Sequence, residues 1–271
     1  MMRAMSSAVA GLKAHQDAID VVGNNIANVN THSFKSGSVS FRDVMYQNLT
    51  SASEGDENAG TAGVNPSQIG YGSAAASVGV DTTNGGKDQT GRPNDCYIDG
   101  EGYFVVRDGK NGEKFTRVGT LSFDGDGYLT DGNGGYVLGY DDENSAGDPI
   151  HFDDTDLKNV SIEPDGTITA IASDGDAEVI GQICLASFPN ASGLEDIGNS
   201  YYRQTGNSGS PQYFEPGSGS TGNLVTGSLE NSNVDLATEF SNMILYERGY
   251  QANTKIISVA DEMLQTLVNM K

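Results

Sequence analysis

The sequence contains no tryptophan, only two cysteines and three histidines, and only 15 lysines and arginines against 37 aspartates and glutamates among its 271 residues. The shortage of basic residues gives a net charge of −22, which argues against binding to nucleic acid or to an anionic membrane surface. No apolar run approaches the roughly 18 residues that a membrane-spanning helix requires. We therefore expect neither nucleic acid nor a membrane as a partner.

Proline and glycine are almost absent from both ends of the chain. All seven prolines and 32 of the 36 glycines lie between residues 38 and 227. The charge divides in the same way, because residues 36–227 carry −20 while residues 1–35 carry +1 and residues 228–271 carry −3. Two ends without helix breakers thus flank an acidic, turn-rich centre, which predicts helical ends and a β-rich middle.

Both ends place apolar residues at alternating spacings of three and four, the period of a coiled-coil seam. The C-terminal helix should run for about 35 residues, or some 50 Å, with Ser232 or Asn233 as its N-cap and Asp235 near its N-terminus. The seam residues predicted to drive assembly are Met5, Val9, Leu12, Ile19 and Ile26 at the N-terminal end and Leu236, Phe240, Met243, Tyr250, Ile257, Leu264 and Val268 at the C-terminal end.

These seams leave alternatives open. The two helices can pair with each other or with neighbouring copies, or each can pack on its own globular core. Their narrow stripes and length favour partner helices, and hence assembly over catalysis. The periodic spacing at the N-terminus also differs from the continuous apolar block of a signal peptide, so we expect no cleavable signal peptide.

The centre is rich in hairpin signals. Seven Asp-Gly pairs, with Asn-Gly at 84–85 and 111–112, suit turns that need positive φ. Short apolar or alternating runs lie between these pairs, at 103–106, 115–118, 128–129, 136–138, 160–162, 168–171 and 179–185. The predicted fold class is therefore α+β: terminal helices that form a coiled-coil-like domain, and a central antiparallel β-rich domain.

Motifs for chemistry are weak. The acidic stretch from Asp124 to Asp131 suggests calcium, but Leu129 and Gly135 stand where an EF-hand loop requires Gly and Glu, so a hairpin is the better interpretation. The three histidines lack partners in the sequence and are expected to be exposed to solvent. Cys96 and Cys184 could form a disulfide, although two buried thiols are favoured. We predict no catalytic, cofactor-binding or metal-binding residue.

Three blocks of sequence resemble the bacterial flagellar hook and basal-body rod protein family. The first runs from Gly11 through the Asn-rich turn to Lys35, the second is Ile98–Val106, and the third runs from Leu229 through the C-terminal helix. The third block is closer to hook proteins than to rod proteins. The residues that carry the family motif are Gly23, Asn24, Asn25, Asn28, Asn30 and Phe34 in the first block and Ser232, Asn233 and Asp235 in the third.

The resemblance implies an architecture and a location. Residues 1–30 and 228–271 would form an inner helical domain, residues 31–75 an extended connector, and residues 76–227 a β-rich outer domain. It also implies a homopolymeric tube, export by the flagellar type III apparatus, and contacts with neighbouring rod, hook-cap and hook–filament junction proteins. The length leaves room for one outer domain, so the sequence leaves open whether the chain is a hook or a distal rod subunit.

Two other classes of function were weighed. A β-rich extracellular hydrolase would need a convergent nucleophile, base and orienting group, which substitution of His15, His32 and His151 would test. An adhesin with coiled-coil ends would form a soluble oligomer of fixed size. A tube subunit would instead grow into an open-ended helical polymer, and this is the favoured interpretation.

Overall fold

The computed structural model describes residues 2–54, 62–109, 112–141, 145–152, 158–171 and 177–270. The chain divides into two compact units. The helix–ribbon unit comprises Met1–Ala27, Gly37–Val80 and Asp235–Lys271, and the β unit comprises Asn28–Ser36 and Asp81–Val234. The chain therefore passes from one unit to the other four times.

The described residues contain two α-helices, 21 strands and one 3-10 turn at Ala191–Gly193. Helix α1 spans Met2–Ala27 and helix α2 spans Leu236–Asn269. In chain order the strands are β1 Gly37–Asp43, β2 Tyr46–Thr50, β3 Ser67–Gly70, β4 Ser73–Val80, β5 Lys87–Gln89, β6 Cys96–Asp99, β7 Tyr103–Arg107, β8 Glu113–Thr116, β9 Leu121–Phe123, β10 Leu129–Asp131, β11 Tyr136–Asp141, β12 Ser145–Pro149, β13 Lys158–Ile162, β14 Thr167–Ile171, β15 Ala177–Gln182, β16 Leu185–Ser187, β17 Glu195–Gly198, β18 Tyr201–Arg203, β19 Gln212–Phe214, β20 Asn223–Thr226 and β21 Ser228–Glu230. The predicted fold class, with helical ends and an antiparallel β-rich centre, is confirmed.

The helix–ribbon unit combines the two terminal helices with a β-ribbon. Strands β1 and β4 pair antiparallel, as do β2 and β3, so residues 37–50 and 67–80 form a β-ribbon of two antiparallel strand pairs. Residues 31–75 had been expected to be an extended connector. The strands are indeed extended but paired with each other, and residues 31–36 belong to the β unit.

Helix α2 begins at an N-cap that the sequence placed a few residues too early. Asp235, rather than Ser232 or Asn233, accepts a hydrogen bond from the Ala237 amide at 3.0 Å and one from the Thr238 hydroxyl at 2.8 Å. These hydrogen bonds stabilise the carboxylate and lower the pKa of Asp235. Ser232 instead accepts a hydrogen bond from the Val234 amide.

The β unit is built on a ten-stranded antiparallel sheet. Its main path runs β17-β18-β8-β7-β11-β10-β9, with β12, β16 and β19 joined to its sides. Strands β13-β14-β15 form a three-stranded sheet, and the pairs β20-β6 and β21-β5 complete the unit. All seven strand segments expected from the sequence lie in or overlap with observed strands. Two apolar clusters fill the unit, one around Phe104 and Leu185 and the other around Phe115 and Leu138.

The Asp-Gly pairs behave as hairpin signals in part. In the turn from Asp124 to Gly127, the Gly127 amide donates to the Asp124 carbonyl and Gly127 has φ +85°, the left-handed conformation that the predicted hairpin requires. The Asn84-Gly85 pair is different, because Gly85 allows close approach of the Asn231 backbone, with which any Cβ would collide. The pair at 174–175 and Asn111 lie outside the described residues.

The two cysteines are free and buried, as favoured from the sequence. Burial raises the pKa of each thiol to about 12, which keeps both sulfurs protonated and unreactive. Neither described helix is long and apolar enough to cross a bilayer.

Candidate assembly surface

Helices α1 and α2 pack against each other through small residues. The buried positions of α1 are Ala8, Gly11, Ala14, Ala18, Val22 and Asn25. A Cβ atom at Gly11 would lie 2.8 Å from the Asn253 amide, and one at Gly249 would lie 2.6 Å from the His15 ring. These two contacts run in opposite directions along the helices, so α1 and α2 are antiparallel and their backbones approach closely.

The predicted seam of α1 lies beside this contact rather than in it. Met5, Leu12, Ile19 and Ile26 are half-buried, and Val9 is 42% exposed. Four of the five seam residues directly follow a buried position of α1, so they line the border of the helix pair. The sequence pattern thus identified the helix, and its seam residues, predicted to drive assembly, are distinct from the buried positions of α1.

Most of the predicted seam of α2 faces away from α1. Met243 and Ile257 are half-buried, whereas Leu236, Phe240, Tyr250, Leu264 and Val268 are exposed. Ala260 is the one buried residue among the described residues of α2, and every described residue from 261 to 270 is exposed. The exposed apolar surface of α2, as we call it, comprises Leu236, Phe240, Ile244, Leu245, Tyr250, Ile256, Val259, Met263, Leu264, Leu267, Val268 and Met270.

The β-ribbon exposes a second set of apolar side chains, which the sequence did not reveal. Met45, Tyr46, Leu49, Val64, Ile69, Val78 and Val80 are all exposed. Each ribbon sheet has only two strands, so both edges carry backbone groups without a strand partner among the described residues. An isolated two-stranded hairpin is marginally stable at best, which makes further packing of the ribbon favourable.

Contacts with both helices anchor the base of the ribbon. The Phe41 ring lies 5.7 Å from the His15 ring of α1 and 5.9 Å from the Tyr246 ring of α2. Gly72 packs on the first turns of α1, where a Cβ atom would lie 3.0 Å from the Ser7 carbonyl oxygen. His15 is thus part of a three-ring cluster with a buried Nδ1 atom, and its expected exposure to solvent is wrong.

Residues of the first family block make contacts in both units. In the helix–ribbon unit, the Asn25 side chain donates to the Gly37 carbonyl at 2.8 Å and accepts from the Gly37 amide at 2.9 Å, which fixes the start of the ribbon. In the β unit, the Thr31 hydroxyl donates to the Asn28 side chain and the Phe34 carbonyl accepts from the Asn233 amide. Gly23 has open space around it, and Asn24 and Asn30 are exposed.

A buried ion cluster in the β unit joins residues that are distant in sequence. Lys35 Nζ lies 2.6 Å from Glu230 Oε1, and Arg117 Nε lies 3.1 Å from Glu230 Oε2. All three side chains are almost completely buried. Burial, and next the Arg117 charge, lower the pKa of Lys35, while Glu230 and Asp81 act in the opposite direction. Nothing in the sequence indicated this cluster, because residues 35 and 230 are 195 positions apart.

The described residues offer no site for a metal ion. No group of three His, Cys, Asp or Glu side chains there could hold a metal ion. Asp131 in the former calcium candidate instead accepts hydrogen bonds from the Asn133 and Gly135 amides and from the Tyr201 hydroxyl. His151 stacks on Tyr128 at 4.3 Å, far in sequence from the other histidines.

Three family models match the chain. They describe a "Flagella basal body rod protein" region at residues 5–35, a "Flagellar hook protein FlgE/F/G D1 domain" at 97–170, and a "Flagellar basal body rod FlgEFG protein C-terminal" region at 225–270. These three stretches coincide closely with the three blocks whose resemblance was noted in the sequence.

Curated relatives belong to the same family. The flagellar basal-body rod protein FlgG of Bacillus subtilis is 41% identical over 272 residues and covers 100% of both chains. The flagellar hook protein FlgE of Borreliella burgdorferi is 26% identical over 444 aligned residues, again with 100% of both chains covered. The crystal structure of Helicobacter pylori flagellar hook protein FlgE2 overlaps with 62% of this chain and 47% of that one, with 16% identity and a TM-score of 0.25, too slight an overlap to compare folds.

Proposed function

Since this chain belongs to the flagellar hook and basal-body rod protein family, a family of structural flagellar components, we propose that it polymerises into a tube by burying the exposed apolar surface of α2 and the β-ribbon against neighbouring copies. The observation that carries this proposal is the helix–ribbon unit itself. Its buried residues are mostly small, while its large apolar side chains face outward.

The free energy for such assembly comes from burial. A fully buried Leu, Ile, Val, Phe or Met side chain gains about 1.5–3 kcal/mol relative to an exposed one. Eleven exposed apolar residues on α2, together with Met270 at its C-cap, therefore offer ample driving force, even after the entropy lost on association is subtracted. The predicted seam residues Leu236, Phe240, Tyr250, Leu264 and Val268 belong to this surface, and we propose them as inter-subunit contacts.

Both predicted positions in the flagellum are supported, because the relatives include hook proteins and basal-body rod proteins. The rod position has one observation in its favour. The alignment with the Bacillus rod protein extends over 272 positions for a chain of 271 residues, whereas the alignment with the Borreliella hook protein extends over 444 positions. We infer that the distal rod and the hook are the two candidate places and that the rod fits the length better.

The remaining parts of the proposal follow from family membership. We infer that the chain is a structural subunit without catalytic activity, that the flagellar export apparatus delivers it, and that its neighbours in the axial structure are other rod or hook proteins, including the cap and junction proteins. An adhesin would form oligomers of fixed size. Electron microscopy of purified chain distinguishes these from open-ended tubes.

The assembly surface can be tested on the full chain. Met263→Glu combined with Leu267→Glu should leave a folded monomer, because both side chains are exposed, yet abolish tube formation. Ser258→Glu, at an exposed position on the same helix outside the apolar surface, is the matched control and should still form tubes. Tubes from the double variant would contradict the proposal.

The position of the chain in the flagellum can be tested in a deletion strain. Loss of the distal rod identifies a rod subunit, and loss of only the curved hook identifies a hook subunit.

A further inference from the structure

Three segments of the β unit adjoin, in sequence, the ends of elements in the other unit. Residues 28–36 lie between α1 and β1, residues 81–86 follow β4, and residues 228–234 precede α2. Within the β unit these segments are bonded to one another by their backbones. The Ser33 amide donates to the Glu230 carbonyl at 2.8 Å, the Asp81 amide to the Ser36 carbonyl at 2.9 Å, and the Asn231 amide to the Gly86 carbonyl at 2.8 Å.

The Asn233 side chain bridges all three segments. Its oxygen accepts from the Ser36 amide at 2.7 Å, and its nitrogen donates to the carbonyls of Asp81 at 3.0 Å and Thr83 at 3.3 Å. An asparagine is suited to this position because it has both an acceptor and a two-hydrogen donor on one short side chain. No isosteric residue supplies both, since aspartate only accepts at neutral pH.

The buried ion cluster ties the same three segments a second time. Lys35 Nζ donates to the Thr83 carbonyl at 2.7 Å as well as to Glu230, and the Gly85 amide donates to Glu230 Oε1 at 2.9 Å. Arg117 joins from a neighbouring loop, and its carbonyl accepts from the Ser33 hydroxyl at 2.9 Å. The Glu230 carboxylate is thus the common partner of two buried cations.

We propose that Asn233, Lys35, Glu230 and Arg117 form a lock that holds the three segments in register, and that this lock positions the chain for assembly without being needed for the core of the β unit to fold. The apolar clusters around Phe104 and Phe115 consist of other side chains, and of the four residues Arg117 lies over the ring of Tyr103 in the Phe115 cluster, at 5.6 Å. Since two cations share one carboxylate, Glu230 is the member whose loss is most damaging.

Hydrogen exchange on the full-length monomer tests the lock directly and does not depend on polymerisation. Asn233→Ala should speed exchange of the Ser36 and Asp81 amides at least about tenfold, because about three hydrogen bonds with a net strength of about 0.5 kcal/mol or more each are lost. Amides of β7 and β11 should keep their wild-type protection. The matched control is Asn133→Ala, whose side chain bonds a single carbonyl, that of Asn199, elsewhere in the β unit. Equal loosening of β7 and β11, or unchanged lock amides, would overturn the proposal.

The unequal roles of Glu230 and Lys35 in the buried ion cluster give an independent test. Glu230→Gln leaves two buried cations without their carboxylate and should speed exchange in the lock more than Lys35→Met, which leaves one balanced pair. Adding Lys35→Met to Glu230→Gln should partly restore protection, or restore folding if the single variant does not fold. Equal effects of the two single changes, or a double variant no better than Glu230→Gln, would overturn the assignment.

The link to assembly rests on the proposed function and has its own readout. Asn233→Ala should slow tube formation severalfold, although its exposed apolar surface of α2 is unchanged. Tubes that form at the wild-type rate despite a loosened lock would overturn this link alone. Failure of the wild-type chain to form tubes would instead count against the proposed function, with the exchange results unaffected.

Discussion

The two units bury different kinds of residue. The β unit encloses Phe104, Phe115, Leu138 and Leu185 with essentially no exposed area, in the manner of an independent globular core. In the helix–ribbon unit the buried positions are mostly alanine and glycine, and the large apolar residues of α2 and the ribbon face outward. Because hydrophobic stabilisation scales with apolar area removed from water, we expect the first unit to be stable by itself and propose that the second is completed by its neighbours.

The charge distribution fits this division. The central stretch of the chain carries nearly all of the net negative charge, while the two ends are close to neutral. Like charges on a surface keep copies apart and soluble, and a nearly neutral apolar surface allows them to pack. This distribution supports the proposal that the central part resists association while the two ends associate.

The largest expected effect comes from breaking the core of the β unit. Phe104→Ala removes a completely buried ring and should lower the free energy of unfolding by about 3–5 kcal/mol, as measured by urea denaturation. Phe240→Ala removes a ring of the same size that is 50% exposed on α2. The monomer should lose less than about 0.5 kcal/mol from this second change, while tube formation should fall clearly.

The contrast between the two units depends on the different effects expected for Phe104→Ala and Phe240→Ala. Similar losses of monomer stability for Phe104→Ala and Phe240→Ala would mean that the helix–ribbon unit has a core of its own. An assembly defect in Phe104→Ala alone would mean that the exposed apolar surface of α2 does not bind neighbouring copies.

A smaller effect should follow from the close approach of the two helices. Gly249→Ala would push a methyl group into the His15 ring, and overpacking of this kind costs about 1–3 kcal/mol, offset by about 1 kcal/mol of helix propensity. We therefore expect Gly249→Ala to lower the midpoint of thermal unfolding, as followed by the helical signal. Gly23→Ala in α1 is the control, because nothing lies within 4 Å of its Cβ position, and it should raise the midpoint through helix propensity. A higher thermal midpoint for both Gly249→Ala and Gly23→Ala would show that the helices do not pack closely.

The sequence was sufficient for those features whose physical cause is local. Periodicity located both helices, since apolar residues at 3.5-residue spacing have no other ready explanation. It did not locate the face that pairs, because the contact is made at Gly11 and Gly249, which leave no hydrophobic pattern. The ribbon was missed for a related reason. Strand β4, Ser73–Val80, consists mainly of Ser, Ala, Gly and Val, a composition close to that of a loop.

Contacts between residues that are far apart in the chain could not be predicted from the sequence. Asn233 resembled a helix cap, because asparagine before an amphipathic helix commonly caps it. The structure gives that role to Asp235 and uses Asn233 to join residues about 150 to 200 positions away. Likewise nothing in the sequence connects Lys35 with Glu230, since an ion pair has no signature in either partner alone.

The smallest predicted effect concerns the charge that the β unit buries. The pKa of its buried Lys35 lies below the ordinary value of 10.5. At a pH between the two values the unfolded chain still holds the proton that the folded chain has released. Stability therefore rises with pH across this interval, since the unfolded state binds more protons. The penalty of burying a charged Lys35 is present below the interval and is relieved within it.

The buried tyrosines oppose this trend, so the wild type must be compared with Lys35→Met. Burial raises the pKa of Tyr201, Tyr202 and Tyr213, which lowers stability above about pH 10 in both proteins alike. The urea midpoint of the wild type relative to that of Lys35→Met should therefore increase as the pH rises from 8 to 10.5. A constant or falling difference would mean that the Lys35 charge is not desolvated, and that the lock relies on its hydrogen bonds alone.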